Sequence, residues 1–175
     1  MKLEVTDRCL PNTERSFIER VVSAALEYVE RPDFDVSLLL TDDKEIGELH
    51  QQFLSDPSPT DVMSFDMDGG AEVVVSVETA TRVALAAGHS IDAEVALYIV
   101  HGLLHTVGYD DKEAGDRRRM RAAESSIMKR APAPSRNQTF LRAVALVIHA
   151  TSPYAHATRG WPCGQKGGRE RGRGQ

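Results

Sequence analysis

Cysteine is nearly absent. Cys9 and Cys163 are the only two in 175 residues, too few and too differently placed for a disulfide framework, so a reducing compartment fits. Long apolar runs are missing too. No stretch approaches the length that spans a bilayer, and residues 1–7 lack the apolar core of a signal peptide. The chain therefore reads as cytoplasmic, with no membrane partner. Nor is there an excess of positive charge. The net charge is −5, which is not the usual profile of a stand-alone nucleic-acid binder. It is also uneven: residues 1–131 carry eleven excess negative charges and residues 132–175 six excess positive ones. Any RNA contact would have to come from a local basic groove, the tail or a bound metal.

The composition changes at Ala131-Pro132-Ala133-Pro134. Residues 1–131 read as one domain, long enough to bury a proper core. Residues 132–175 read as a low-complexity basic tail: 140–150 is briefly apolar, and 160–175 is rich in Gly and Arg and buries too little to fold. The tail is either a flexible arm that binds RNA non-specifically or an extension without function. His149, His156 and Trp161 within it have no partner at metal-ligand spacing.

Within the domain, Leu3 and Val5 alternate with polar residues and predict a short strand. Asn12 is placed to cap a helix whose apolar stripe is Phe17, Ile18, Val21, Val22, Ala25, Leu26 and Val29, closed by Pro32. Residues 36–40 predict a buried strand. Asp42 and Glu45 resemble a capping box for a helix to about Leu54, with Ile46, Leu49 and Phe53 turned inward and His50 on its surface. Residues 60–65 and 71–77 predict two more strands, separated by the turn at Gly69-Gly70. A helix over 78–87 stops at Gly88, and a last helix is expected over 113–129. Arg117, Arg118, Arg119 and Arg121 on that helix read first as a solvated face beside Glu113, Asp116 and Glu124, and secondly as a phosphate contact.

The chemistry concentrates between these last two helices. Ser90 suits an N-cap, Asp92 and Glu94 suit the positive end of a helix dipole, and the run from Val95 to Val107 is apolar on nearly every side. Such a helix is buried, yet it carries His101 and His105 one turn apart on one face. Buried imidazoles need partners, and neutral imidazoles at i, i+4 can converge on one zinc ion. Gly108 permits the chain to turn back, bringing Asp110 and Asp111 towards the pair. Three protein ligands and one open position describe a catalytic site. Two hydrogen-bonded core histidines are the plainer alternative. Gly102 stands where a metalloprotease helix carries its glutamate base, which weighs against a peptide hydrolase. His89 lies outside the His101 register and reads as a boundary residue.

The stretch His101-Gly102-Leu103-Leu104-His105-Thr106-Val107-Gly108-Tyr109-Asp110-Asp111 resembles the signature of the YbeY family, His-Gly-x-x-His-x-x-Gly-Tyr-Asp-His. It departs only at the last position, where Asp111 replaces the family's third histidine. Residues 60–65 are similar to that family's Thr-Asp-Val-Leu-Ser-Phe segment, which lines its cleft. Two further departures are Asp66 in place of a frequent proline and no arginine near Leu54. The resemblance covers roughly residues 1–131. It implies a single-strand-specific, metal-dependent endoribonuclease that matures the 3′ end of 16S ribosomal RNA and serves ribosome quality control. Its partners would be ribosomal RNA and the small ribosomal subunit, with no small-molecule cofactor.

The expectation is an α+β domain with about four strands in one mixed sheet, helices packed on it and a zincin-like metal helix buried against it. One Zn2+ would be held by His101, His105 and Asp111, an aspartate being an acceptable zinc ligand although its charge weakens the ion as a Lewis acid. Asp110 and Asp61 are the candidate catalytic carboxylates. The alternatives are a non-catalytic ribosome-assembly factor with a decayed site and a zinc-dependent peptide hydrolase.

Overall fold

The computed structural model describes residues 1–9 and 14–131. Strand β1 (Leu3–Asp7) is followed by helix α1 (Arg15–Tyr28), whose buried face is Phe17, Ile18, Val21, Val22, Ala24, Ala25 and Leu26. Asn12 lies outside the described residues. The N-cap position falls to Glu14, which makes no side-chain capping bond. Strand β2 (Asp35–Thr41) leads into helix α2 (Asp43–Leu54). Only half of the expected capping box forms there. Asp42 Oδ1 accepts the Glu45 N–H at 2.8 Å, while the Glu45 carboxylate turns to Thr41 Oγ1 and Arg8.

Strand β3 (Val62–Met67) starts two residues later than expected, and strand β4 (Gly70–Ser76) ends one residue earlier. Side-chain hydrogen bonds explain both differences. Asp61 Oδ1 accepts from the Val62 N–H and from Thr60 Oγ1, so these two residues form a polar lead-in to β3. Ser76 Oγ accepts the Thr79 N–H, which caps helix α3 (Val77–Ala87) and draws Val77 into it. Gly88, in the left-handed region at φ 77°, ends α3. Helix α4 (Ile91–Thr106) is capped by Ser90, and helix α5 (Ala114–Arg130) completes the described fold.

The sheet order is β1-β2-β4-β3, with β1, β2 and β4 parallel and β3 antiparallel to β4. This is the expected four-stranded mixed sheet. Its main face presents Val36, Leu38, Leu40, Val62, Val73 and Val75, which join α1, α3, α4 and α5 in one core. The second face has a far smaller cluster, Ile46 of α2 with Met63 and Val74. One helix cannot cover that face. Phe53, expected inside, is 56% exposed and leans on the Phe65 ring at 5.1 Å.

Helix α4 is the central element, buried from Ile91 to Leu104 as its all-round apolar sequence requires. It comes so close to the sheet that a Cβ on Gly102 would lie 2.9 Å from Val73 Cγ1 and 3.0 Å from Val62 Cγ2. Close approach to the sheet is what glycine at this position permits. Among the described residues no helix is long and apolar enough to cross a membrane.

Candidate metal centre

His101 and His105 project from the last two turns of α4, towards α5 and the connection that follows the helix. Val107 ends the helix, and Gly108 adopts φ 94°, which reverses the chain and returns residues 109–111 to the histidines. His105 Nδ1 meets the Tyr109 carbonyl at 3.0 Å, so the returning backbone itself orients that ring. His101 Nδ1 meets Glu124 Oε1 of α5 at 2.7 Å. Both Nδ1 partners are pure acceptors, so both rings donate from Nδ1 when neutral.

With both Nδ1 atoms so engaged, the two Nε2 atoms face each other 2.9 Å apart. Two lone pairs do not face each other unless a proton or a cation lies between them. Asp111 completes the group: one ligand atom from each of His101, His105 and Asp111 lies within 4.8 Å of the others. The donor set therefore fits a divalent ion. Two Zn–N bonds of about 2.1 Å at a tetrahedral angle hold their nitrogens roughly 3.4 Å apart, so a small widening from the 2.9 Å seen would admit the ion. Acceptors behind the ligating imidazoles, one carboxylate and one carbonyl, are the usual second layer of a metal site.

The electrostatics follow the same geometry. Burial pulls His101 towards the neutral form, but the hydrogen bond and charge of Glu124, with the charges of Asp61 and Asp111, outweigh it and raise its pKa. His105 is lowered, by burial first and then by the neighbouring His101. Asp110 does not turn towards the histidines as a ligand. Its Oδ1 accepts the N–H groups of Asp111 at 2.7 Å and Lys112 at 3.2 Å, which shapes the turn presenting Asp111. Burial opposes ionisation of Asp110, yet these N–H groups and the charges of Lys112 and His105 hold its pKa down. Asp61 approaches from the sheet side, where its charge acts on both His101 and Tyr98.

Two residues differ from their expected roles. Glu124 is not an acid among the arginines on a solvated face but the partner of His101. A signal was present, because Met120, Glu124 and Ile127 share one face of α5 and both neighbours are fully buried. His50 is not on the surface. It is 5% exposed, and its Nδ1 lies 2.8 Å from the Ser58 carbonyl, pinning the 55–61 loop over α2. His89 pairs with Glu94 near the start of α4, away from the ligand group. Arg117 donates to the carbonyls of Asp111 and Lys112, and Arg119 pairs with Asp116.

Comparison with known proteins bears directly on this arrangement. The profile of the family described as Endoribonuclease YbeY matches residues 4–132. The chain belongs to the YbeY family. Endoribonuclease YbeY of Heliobacterium modesticaldum is 36% identical over 142 residues, covering 68% of this chain and 86% of that protein. Its counterpart from Nautilia profundicola is 43% identical over 108 residues, covering 59% and 76%. Among solved structures, the solution structure of TM1509 from Thermotoga maritima superposes with a TM-score of 0.53 at 22% identity, covering 73% of this chain and 89% of that one. That likeness carries the fold alone. Membership of YbeY also agrees with Gly102: with Val62 and Val73 packed against it, a metalloprotease glutamate has no room there.

Proposed function

We propose that this YbeY-family chain is a metal-dependent endoribonuclease that cuts single-stranded RNA, with one zinc ion held by His101, His105 and Asp111. The observation that carries the assignment of the ligands is the pair of Nε2 atoms facing each other 2.9 Å apart while both Nδ1 atoms are engaged elsewhere. A bound divalent metal supplies Lewis-acid polarisation of a scissile phosphodiester. The chain's own residues do the positioning. Glu124 and the Tyr109 carbonyl fix the two rings, and the Asp110 turn, braced by Arg117, presents Asp111. Asp61 and Asp110 flank the ligands and are the groups proposed to hold or move a proton during cleavage. The cellular setting proposed is the cytoplasm, the RNA the 3′ region of 16S ribosomal RNA, and the partner the small ribosomal subunit.

Elemental analysis of the purified protein beside Asp111→Ala, paired with cleavage of a single-stranded RNA before and after chelation, tests this. The expected result is about one zinc per chain in the wild type, lost in the variant, with cleavage that stops on chelation and returns with zinc. Zinc retained in Asp111→Ala would move the third ligand elsewhere. Binding to small subunits with no cleavage by the zinc-loaded protein would overturn the enzymatic reading in favour of an assembly factor.

A further inference from the structure

The connection that closes α4 has a second side. The Tyr109 carbonyl meets His105, while its side chain lines a cavity of about 430 Å³ between that connection, the end of α1 and the first turns of α5. The volume falls within the range of roughly 300–1,000 Å³ typical of ligand sites. Tyr28 and Tyr109 bring two phenol rings to its wall, and Asp110, Asp116 and Arg119 bring polar groups. The two side chains are neighbours, close enough for a hydrogen bond between them.

The charges decide what kind of group fits. Two carboxylates and one guanidinium line the cavity, and that guanidinium is already paired with Asp116. A phosphate would meet net negative charge. A neutral planar ring carrying N–H donors meets the side chains of Tyr109 and Tyr28, the latter with the Arg130 guanidinium over its ring at 5.6 Å, and carboxylate acceptors. Asp110 Oδ1 is taken by backbone N–H groups, whereas Oδ2 makes no hydrogen bond among the described residues. Asp110 adjoins Asp111 in the chain, so one residue of the cavity wall is the sequence neighbour of one residue of the ligand set.

We propose that this cavity binds a nucleobase of the RNA strand beside the phosphate held at the metal centre, and that it favours bases with an exocyclic amino group over uracil. The proposal rests on the RNA-cleaving reading above. An amino group donates to a carboxylate, whereas uracil presents carbonyl oxygens in the corresponding places. Stacking on an aromatic ring changes affinity about fivefold or more.

The test uses the full, zinc-loaded chain and two independent readouts. The first is chemical-shift titration with adenosine, cytidine, guanosine and uridine, which carry no phosphate to engage the metal. The second is the steady-state cleavage of single-stranded RNA. Adenosine and cytidine should bind more tightly than uridine. Tyr28→Leu should weaken adenosine binding and raise KM for RNA at least fivefold, with kcat and zinc content unchanged, and Tyr28→Phe should restore both. No saturable shift with any nucleoside, or equal binding to wild type and Tyr28→Leu, overturns the proposal while leaving RNA cleavage intact. A wild type that binds adenosine through Tyr28 but does not cleave RNA supports the cavity and sinks the RNA-cleaving reading instead.

Discussion

His101 is worth following outward, because its two nitrogens join two levels of organisation. Nε2 belongs to the ligand group and Nδ1 to the contact between α4 and α5. Glu124→Ala removes the acceptor behind the ring and should weaken zinc affinity about 10- to 100-fold, whereas Glu124→Gln, which keeps an acceptor, should lose much less. Competition with a chromophoric chelator separates the two outcomes. Gly102 makes the opposite argument, since it matters for what it lacks. Gly102→Ala gains up to about 1 kcal/mol of helix propensity but forces its Cβ against methyl groups of Val62 and Val73, which branch at Cβ and give little. Overpacking of this kind costs about 1–3 kcal/mol, so a net loss of about 1 kcal/mol is expected in urea unfolding. That His101 and His105 share a face and that the chain returns to them was legible from spacing, because an i, i+4 pair and a reversing glycine are local signals, whereas the choice of Asp111 over Asp110 came from the resemblance. Glu124 stands 23 positions from His101 beside four arginines that suggest solvent, and that outweighed the weaker signal of Met120 and Ile127 on its face. His50 was missed for a related reason: what buries it is the 55–61 loop, not its own helix neighbours.

Elements were legible wherever one periodicity ran without competition. The core faces of α1 and α4 and the β-branched run of β4 match their sequences closely. Boundaries drifted where a side chain competed for the backbone, as Asp61 does before β3 and Ser76 after β4. The strand order β1-β2-β4-β3 had no local signature at all, and neither did the unequal covering that leaves Phe53 outside. Ser90 is the case in which sequence and structure agree fully, its Oγ accepting the Ala93 N–H at 3.1 Å. Ser90→Ala should cost about 1 kcal/mol, and Ser90→Asp should restore it. Thermal melts would register the first as a fall of about 3 °C, and no fall would mean that the cap contributes nothing to α4.

For the whole molecule, the proposed metal centre would couple metal to fold. The proposed ligands come from the end of α4 and from the connection after it, while the carboxylate behind His101 comes from α5, so the set is complete only when these parts are folded together. Zinc returned to chelated protein at about a hundred times its dissociation constant should add roughly 2.7 kcal/mol of stability. Tm should rise with zinc in the wild type and much less in Asp111→Ala. An equal rise in both would mean that the ion binds elsewhere. The eleven excess negative charges on residues 1–131 were legible at once, and they agree with a cavity suited to a base more than to a phosphate. The tail expected to be disordered, 132–175, lies outside the described residues.

The sheet that is thickly covered on one face and thinly on the other gives the protein two different lifetimes. Breaking the main face means dismantling the joint packing of α1, α3, α4 and α5, which amounts to global unfolding. Lifting α2 exposes Ile46, Met63 and Val74 and parts Asp43 from Ser76, Thr79 and Arg82, and with α2 goes the His50 bond that fixes the 55–61 loop ahead of Asp61. The amides of α2 should therefore exchange with solvent through partial openings, and those of α4 only with global unfolding, which hydrogen exchange would check. Each such opening would loosen the loop ahead of Asp61 and leave the histidines of α4 where they stand.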